Sequence, residues 1–378
     1  MAHFDSPGGT QTPQAVIDAI GQALAAPLAN RGSGNQAQRN AEAIVQQARA
    51  ALGDFANTDP QGVVFGRSAT ELTFQFSRLL ARRWSAGDEV VVTRLDHDAN
   101  VRPWLIAAAA VGATVRWADF DPRSGEMDPS AVGDQLSDRT RLVAVTAASN
   151  LIGTMPDIAA IADLVQHAGA ELYVDGVHYA AHALVDVARL GADFFVCSPY
   201  KFLGPHLGVL VAPPERLATL SPDKLLPATD AVPERFELGT LPYELLAGTT
   251  AAIDYLAGIG GSAGGRRDRL ATSHRLLGAH ETQLRTRLED GLHTIGATLY
   301  SRAEQRTSTV LFDLDAHPAA VVASHLASAG VNAPAGNFYA IETSRHLGLG
   351  DNGAVRAGIA PYTNADDVDR LLTALNRL

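Results

Sequence analysis

Lys201 follows the apolar run Phe194-Phe195-Val196-Cys197 through Ser198-Pro199-Tyr200. Open α/β sheets gather their ligand-binding groups at the carboxyl ends of such strands. Its neighbours Pro199, Tyr200, Phe202, Leu203, Gly204 and Pro205 form a rigid, apolar setting. An ammonium there is desolvated and its pKa falls, which makes Lys201 a candidate Schiff-base nucleophile instead of a solvated surface charge. Asp175 closes the run Leu172-Tyr173-Val174, where a carboxylate either caps the next turn or serves a ligand. Ser68-Ala69-Thr70-Glu71 opens a helix directly after a strand and offers free amides and hydroxyls to a phosphate. A Ser N-cap is also the commonest way to start any helix. His97, in Leu95-Asp96-His97-Asp98-Ala99-Asn100, again follows a strand, a position more often structural or solvated than catalytic.

The elements that must position these groups alternate between about residues 60 and 212, as parallel strands with crossover helices do. Strands are expected near 63–65, 89–94, 114–119, 141–146, 171–175, 193–197 and 207–212. Their near-continuous Val, Leu and Ala content suits strands buried on both faces. Helices are expected over 69–84, 100–111 and 156–168, with a looser one over 179–190. The glycine-rich stretch 258–265 reads as a flexible break, followed by an Arg-rich helical pattern over 266–292. Beyond it, strands at 297–301, 307–314 and 354–359 and helices at 318–329 and 364–378 read as a smaller α+β C-terminal domain.

The chain has 378 residues, which suits two domains, and 46% of them are hydrophobic. A net charge of −11 gives no electrostatic footprint for nucleic acid. The longest apolar run, residues 104–113, is too short for a membrane span, and no signal peptide is evident, so the expectation is a cytoplasmic protein. A single cysteine, Cys197, excludes an intramolecular disulfide, a CxxC pair and a Cys-based zinc cluster. Two motifs are set aside. Gly348-Leu349-Gly350-Asp351-Asn352-Gly353 has the letters of a dinucleotide fingerprint but no helix after it. His178 and His182 have a metal-ligand spacing without an HExxH motif, and no metal is expected.

In order along the chain, Ser68-Ala69-Thr70-Glu71, His97, Asn150, Asp175, Lys201, Thr240 and Arg356 resemble the class V aminotransferase family, and within it the cysteine desulfurase-like branch. The likeness runs from Phe4-Asp5-Ser6-Pro7-Gly8 to 355–364, through 174–179, 197–206 and 237–243. It implies an aspartate-aminotransferase-like (fold type I) large domain with a mostly parallel seven-stranded sheet over 13–258. A small domain would comprise 1–12 and 266–378, with 259–265 as the connection. It also implies pyridoxal 5'-phosphate and a homodimer acting on an amino acid. Lys201 would bond the cofactor and move the substrate Cα proton, and Asp175 would pair with the ring nitrogen. His97 would stack on the ring, with Asn150 and His178 near its hydroxyl. Ser68, Ala69, Thr70, Ser198, Tyr200 and a partner's Thr240 would hold the phosphate. Arg356, with Asn150, would grip the α-carboxylate through its bidentate fork.

The departures matter as much. True cysteine desulfurases carry a nucleophilic cysteine on a loop before the carboxylate-binding arginine. Here that loop reads Asn332-Ala333-Pro334-Ala335-Gly336-Asn337-Phe338-Tyr339, with Tyr339 at or near the cysteine position and Pro334 at that of a second arginine. Cys197 reads as a small core hydrophobe. The resemblance therefore implies a carbon–sulfur lyase-type elimination without a persulfide cysteine, with aminotransferase and then epimerase chemistry as alternatives. A catalytically silent cofactor-binding partner protein is the non-enzyme alternative. His178, Arg102 and Tyr339 are candidates for the substrate side-chain environment.

Overall fold

The computed structural model describes residues 1–378. In chain order the strands are β1 (Ala2–His3), β2 (Val63–Gly66), β3 (Glu89–Thr93), β4 (Thr114–Ala118), β5 (Thr140–Thr146), β6 (Glu171–Asp175), β7 (Phe194–Cys197), β8 (Gly208–Val211), β9 (Thr298–Leu299), β10 (Thr309–Asp313), β11 (Val331–Asn332), β12 (Ala335–Gly336) and β13 (Ala354–Gly358). A seven-stranded sheet has the order β2-β8-β7-β6-β5-β3-β4. It is mostly parallel: β3 with β4 and β5, and β6 with β7, run the same way, while β8 is antiparallel to β2 and β7. Val90, Val91 and Val92 of β3 and Phe194, Phe195 and Val196 of β7 are all buried, as strands covered on both faces require. No helix is long and apolar enough to cross a membrane.

The chain forms two compact units, one of Met1–Thr10, Ser85–Glu171 and Leu276–Leu378, the other of Gln11–Trp84 and Leu172–Arg275. In the second unit, helices Gln14–Ala25, Gln36–Ala56 and Tyr243–Ile259 pack together. Gly248 sets how closely they approach, because a Cβ there would lie 2.7 Å from Ile20. The glycine-rich stretch is a tight helix-to-helix turn and not a loose one. A Cβ on Gly260 would strike the Arg269 carbonyl at 2.2 Å, and Ser273 Oγ donates to that same carbonyl at 3.0 Å. The expected helix over 179–190 is two single turns, Tyr179–His182 and Val187–Leu190, because Asp186 accepts the Arg189 amide at 3.0 Å and starts the second afresh.

In the first unit, β12, β13, β10 and β9 form an antiparallel sheet with helices Ala319–Ser328 and Ala365–Leu375. Leu288, Val310, Phe312, Val355, Val368 and Leu371 share its core with Phe4. The N-terminal segment is stitched into this unit: β1 pairs with β11, the Phe4 amide donates to Asn332 at 2.8 Å, and the Gly358 amide donates to Phe4 at 2.7 Å.

Candidate active site

In the second unit the Lys201 group is built on the ends of β6 and β7. Parallel pairing sets Asp175, the last residue of β6, opposite Val196. The next residue must be glycine, since a Cβ on Gly176 would sit 2.0 Å from the Phe195 ring. Asp175 is buried, and its Oδ1 accepts the Val177 amide at 2.8 Å. Burial pushes its carboxyl up to about 6, against the opposing pull of the Val177 amide and the Lys201 charge. A carboxylate held out of water in this way is stabilised by a cation close to it.

After Cys197 the chain makes one turn, Pro199–Lys201, with the Lys201 amide on the Ser198 carbonyl at 3.0 Å and the Gly204 amide on the Pro199 carbonyl at 2.8 Å. Ser198 and the Lys201 side chain are buried. Lys201 Nζ lies 4.8 Å from the Tyr200 ring centroid, and the Tyr200 ring stacks on His206 at 4.8 Å. His178 is also buried, with its ring 4.7 Å from that of His182.

The start of helix Ala69–Ala81 lies against the first residue of β8. A Cβ on Gly208 would be 2.3 Å from the Ser68 backbone, so glycine alone permits this approach. Ser68 Oγ accepts the Glu71 amide at 3.1 Å, which leaves the amides of Ala69 and Thr70 for another acceptor at the positive end of the helix. Thr240 is exposed and follows Gly239, whose φ is 78°. Glu237 anchors this segment: Oε1 accepts the Phe65 amide at 3.0 Å and Oε2 the Arg49 guanidinium at 2.8 Å. Burial raises the Glu237 carboxyl and Arg49, itself fully buried, opposes the rise. Arg49 was not legible as a partner of Glu237, because 188 residues separate the two.

In the first unit the Arg356 group gathers the remaining sequence-read residues. His97 begins a turn after β3, and its Nδ1 accepts the Ala99 amide at 3.0 Å, which places a neutral ring's proton on Nε2. Asp96 and Asn100 brace that turn, Asn100 Nδ2 donating to Asp96 at 2.7 Å. Arg102 pairs with Asp98 at 3.0 Å. Arg356 is 2% exposed on β13. It donates from Nη2 to Asp5 Oδ1 at 2.7 Å and from Nη1 to the Asn150 carbonyl at 3.1 Å. Its Nε is buried without a partner, as is Asn150 Oδ1. Burial brings Arg356 down to about 10, with Asp5 pulling the other way. Five N–H groups on a guanidinium and two spent here leave donors for a further carboxylate.

The sequence marks the loop before β13 by its missing cysteine and by Tyr339 as a candidate beside the substrate side chain, but not by its geometry or by Phe338. Phe338 lays its ring on the Arg356 guanidinium at 3.6 Å, and Tyr339 stacks on His97 at 5.6 Å with 29° between the rings. Asn150 Nδ2 donates to the Phe338 carbonyl at 3.0 Å, and the Asp98 amide donates to the Tyr339 carbonyl at 2.7 Å. Phe338 and Tyr339 have φ of 51° and 62°, a left-handed conformation that costs a bulky residue about 1–2 kcal/mol. Asp5 was quoted in the opening segment without a role, and nothing in its neighbours shows a partner 351 residues away.

A sheet of this order, with an acid and a lysine buried at its strand ends, narrows the class. The Aminotransferase class-V family matches residues 2–371, and the chain belongs to that family. An uncharacterized protein of Mycobacterium tuberculosis is 34% identical over 380 residues, covering 100% of this chain and 95% of that one. A cysteine desulfurase of Klebsiella pneumoniae is 30% identical over 402 residues, covering 100% and 93%. The solved structure of the cysteine desulfurase CsdA of Escherichia coli, in its S-sulfonic acid form, superposes with a TM-score of 0.87 at 27% identity, over 100% of this chain and 94% of that one. The fold is therefore type I, and the chain is a pyridoxal-phosphate-dependent enzyme. The residues present suit that cofactor's three handles: a buried amine for the aldehyde, a buried carboxylate for the ring nitrogen, and a hydroxyl-bearing helix start for the phosphate.

Proposed function

We propose that this enzyme breaks a carbon–sulfur bond at Cβ of an amino acid by elimination, releasing the sulfur group directly instead of carrying it on a cysteine. The observation that supports this is the placement of sulfur in the chain. Cys197 is buried at the end of β7, and burial and the Asp175 charge raise its thiol far above the ordinary range. Residues 332–339 contain no cysteine. Relatives named cysteine desulfurases supply the carbon–sulfur class.

In this reading Lys201 bonds the cofactor and Asp175 pairs with its ring nitrogen, while Asn150 and His178 serve its hydroxyl and His97 its ring face. Ser68, Ala69, Thr70, Ser198 and Tyr200 hold the phosphate, joined by Thr240 from the second subunit of a homodimer. Arg356 and Asn150 take the α-carboxylate, and Tyr339 meets the substrate side chain. When bound, pyridoxal phosphate supplies an electron sink for bonds at Cα. Burial pushes the Asp175 carboxyl up, and the Val177 amide and the Lys201 charge favour the ionised form that its role demands. Once the substrate amine has displaced it from the cofactor, Lys201 Nζ would take the Cα proton, and the sulfur group would leave Cβ with the bonding electron pair and be protonated on release. Asp5 holds Arg356 in place as a positioning residue.

The test is a panel of amino acids and S-conjugates, with keto acid, sulfide or thiol, and chirality read in parallel. Sulfide or thiol with keto acid and ammonia supports elimination. Keto acid only with an added acceptor shows aminotransferase chemistry, and altered chirality alone shows an epimerase. A sample with a band near ~420 nm that borohydride abolishes, yet without any product, is a silent cofactor binder.

A further inference from the structure

We propose that Phe338 and Tyr339 form a fixed aromatic wall that selects amino acids with large apolar or aromatic side chains, S-linked ones included, over small ones such as alanine and cysteine. This rests on the reading of Arg356 as the carboxylate-binding residue. The wall is held by four separate contacts, three of them to residues that reading uses, Asn150, Arg356 and His97, and one to Asp98. Asn150 takes the Phe338 carbonyl and the Asp98 amide the Tyr339 carbonyl. The two rings lie on Arg356 and His97.

Further bonds brace the loop. Asn337 Oδ1 accepts the Tyr339 amide at 2.9 Å, and Asn337 Nδ2 donates to the Asp351 carbonyl at 2.8 Å. Gly353 lets the two arms meet, since a Cβ there would be 2.0 Å from the Gly336 carbonyl oxygen. Two consecutive aromatic residues persist in the left-handed region only where their surroundings over-determine them. These bonds are that over-determination.

Chemically, Phe338 closes one face of the guanidinium, so an incoming carboxylate meets Arg356 along its edge, where Nε has no partner. The substrate's remainder then lies beside aromatic surface. Tyr339 is 74% exposed, so most of its ring surface stands open beside His97. Phe338 keeps part of its surface accessible as well. Neither residue brings a thiol or a mobile arm, and a small polar side chain gains nothing from either ring.

The test is calorimetric binding of 3-phenylpropionate and propionate, carboxylates without the reacting amine, to the cofactor-loaded enzyme. The expected result is 3-phenylpropionate binding at least about tenfold more tightly, the discrimination that modest apolar contacts give. Phe338→Ala and Tyr339→Ala should each reduce that ratio at least about threefold while changing propionate affinity less than about twofold. Should Phe338→Ala not fold, Phe338→Leu and Tyr339→Ala carry the same comparison. No preference in the wild type, or equal weakening of both ligands in the variants, overturns the proposal. Arg356→Gln separates the layers: if it leaves both affinities unchanged, the carboxylate reading of Arg356 itself fails. If it weakens both ligands alike while the wall variants change no ratio, only the wall is wrong.

Discussion

Two stretches of this chain are built under different constraints. Residues 172–208 hold a buried acid, a buried lysine and the glycines that let backbone pass close to ring and helix, as at Gly176 and Gly208. Residues 332–340, which lead into β13 and its arginine, contain a proline and two aromatics in strained, pinned conformations. The difference shows which parts a fold constrains. Gly176 and Gly208 answer to steric limits of under 2.5 Å, so they report on the architecture. Positions 338 and 339 answer instead to bonds from Asn150 and Asp98 and to ring contacts with Arg356 and His97.

The largest effect should come from residues 172–208. Lys201→Ala should abolish the band near ~420 nm and lower turnover on the order of 10⁴-fold, read by absorbance and product formation. Normal turnover would remove the basis for treating 172–208 as the cofactor side.

Asp175→Asn should come next and be visible without cofactor. The folded-state pKa of Asp175 is raised from 3.8 to about 6, so the acid favours folding below about pH 4 and that contribution is lost as pH rises through 6. Relative to Asp175→Asn, the wild-type apoprotein should lose about 3 kcal/mol of stability between pH 3 and 7, measured by urea unfolding of both proteins. Loading with pyridoxal phosphate should flatten the difference. A slope that is the same with and without cofactor would contradict the pairing of Asp175 with a ring nitrogen.

How much of this was legible depended on the range of the interaction. The seven sheet strands were read to within about a residue at their ends, because most of them write their burial as short apolar runs, Val90-Val91-Val92 and Phe194-Phe195-Val196 among them. Lys201 and Asp175 were legible because each follows such a strand directly. Helices Gln14–Ala25, Gln36–Ala56 and Tyr243–Ile259 were not singled out, and 179–190 was read as one helix because the Asp186 cap looks like any loop aspartate. Asp5, Phe338 and Glu237 act across hundreds of residues, and no local pattern encodes a partner so distant.

Asp5 tests whether the stretch leading into β13 serves a carboxylate. Asp5→Ala removes the Nη2 acceptor from a guanidinium that is 2% exposed, so KM should rise about tenfold while kcat changes less than about threefold. Asp5→Asn keeps an acceptor oxygen and should restore most of the loss. If Asp5→Ala changes kcat alone, Arg356 is not being positioned for substrate binding.

The smallest effect should be at Cys197, and it bears most directly on the contrast between the two stretches. Its thiol is 1% exposed and burial holds it protonated, so Cys197→Ala removes a small core volume and no nucleophile. Stability should fall by about 1 kcal/mol in thermal unfolding, and turnover should stay within about twofold of wild type. Mass spectrometry after turnover should find no sulfur added to the wild-type chain. A persulfide at Cys197, or loss of turnover in the alanine variant, would move the sulfur chemistry into residues 172–208. Direct release of the sulfur group, without a cysteine carrier, would then be the wrong reading.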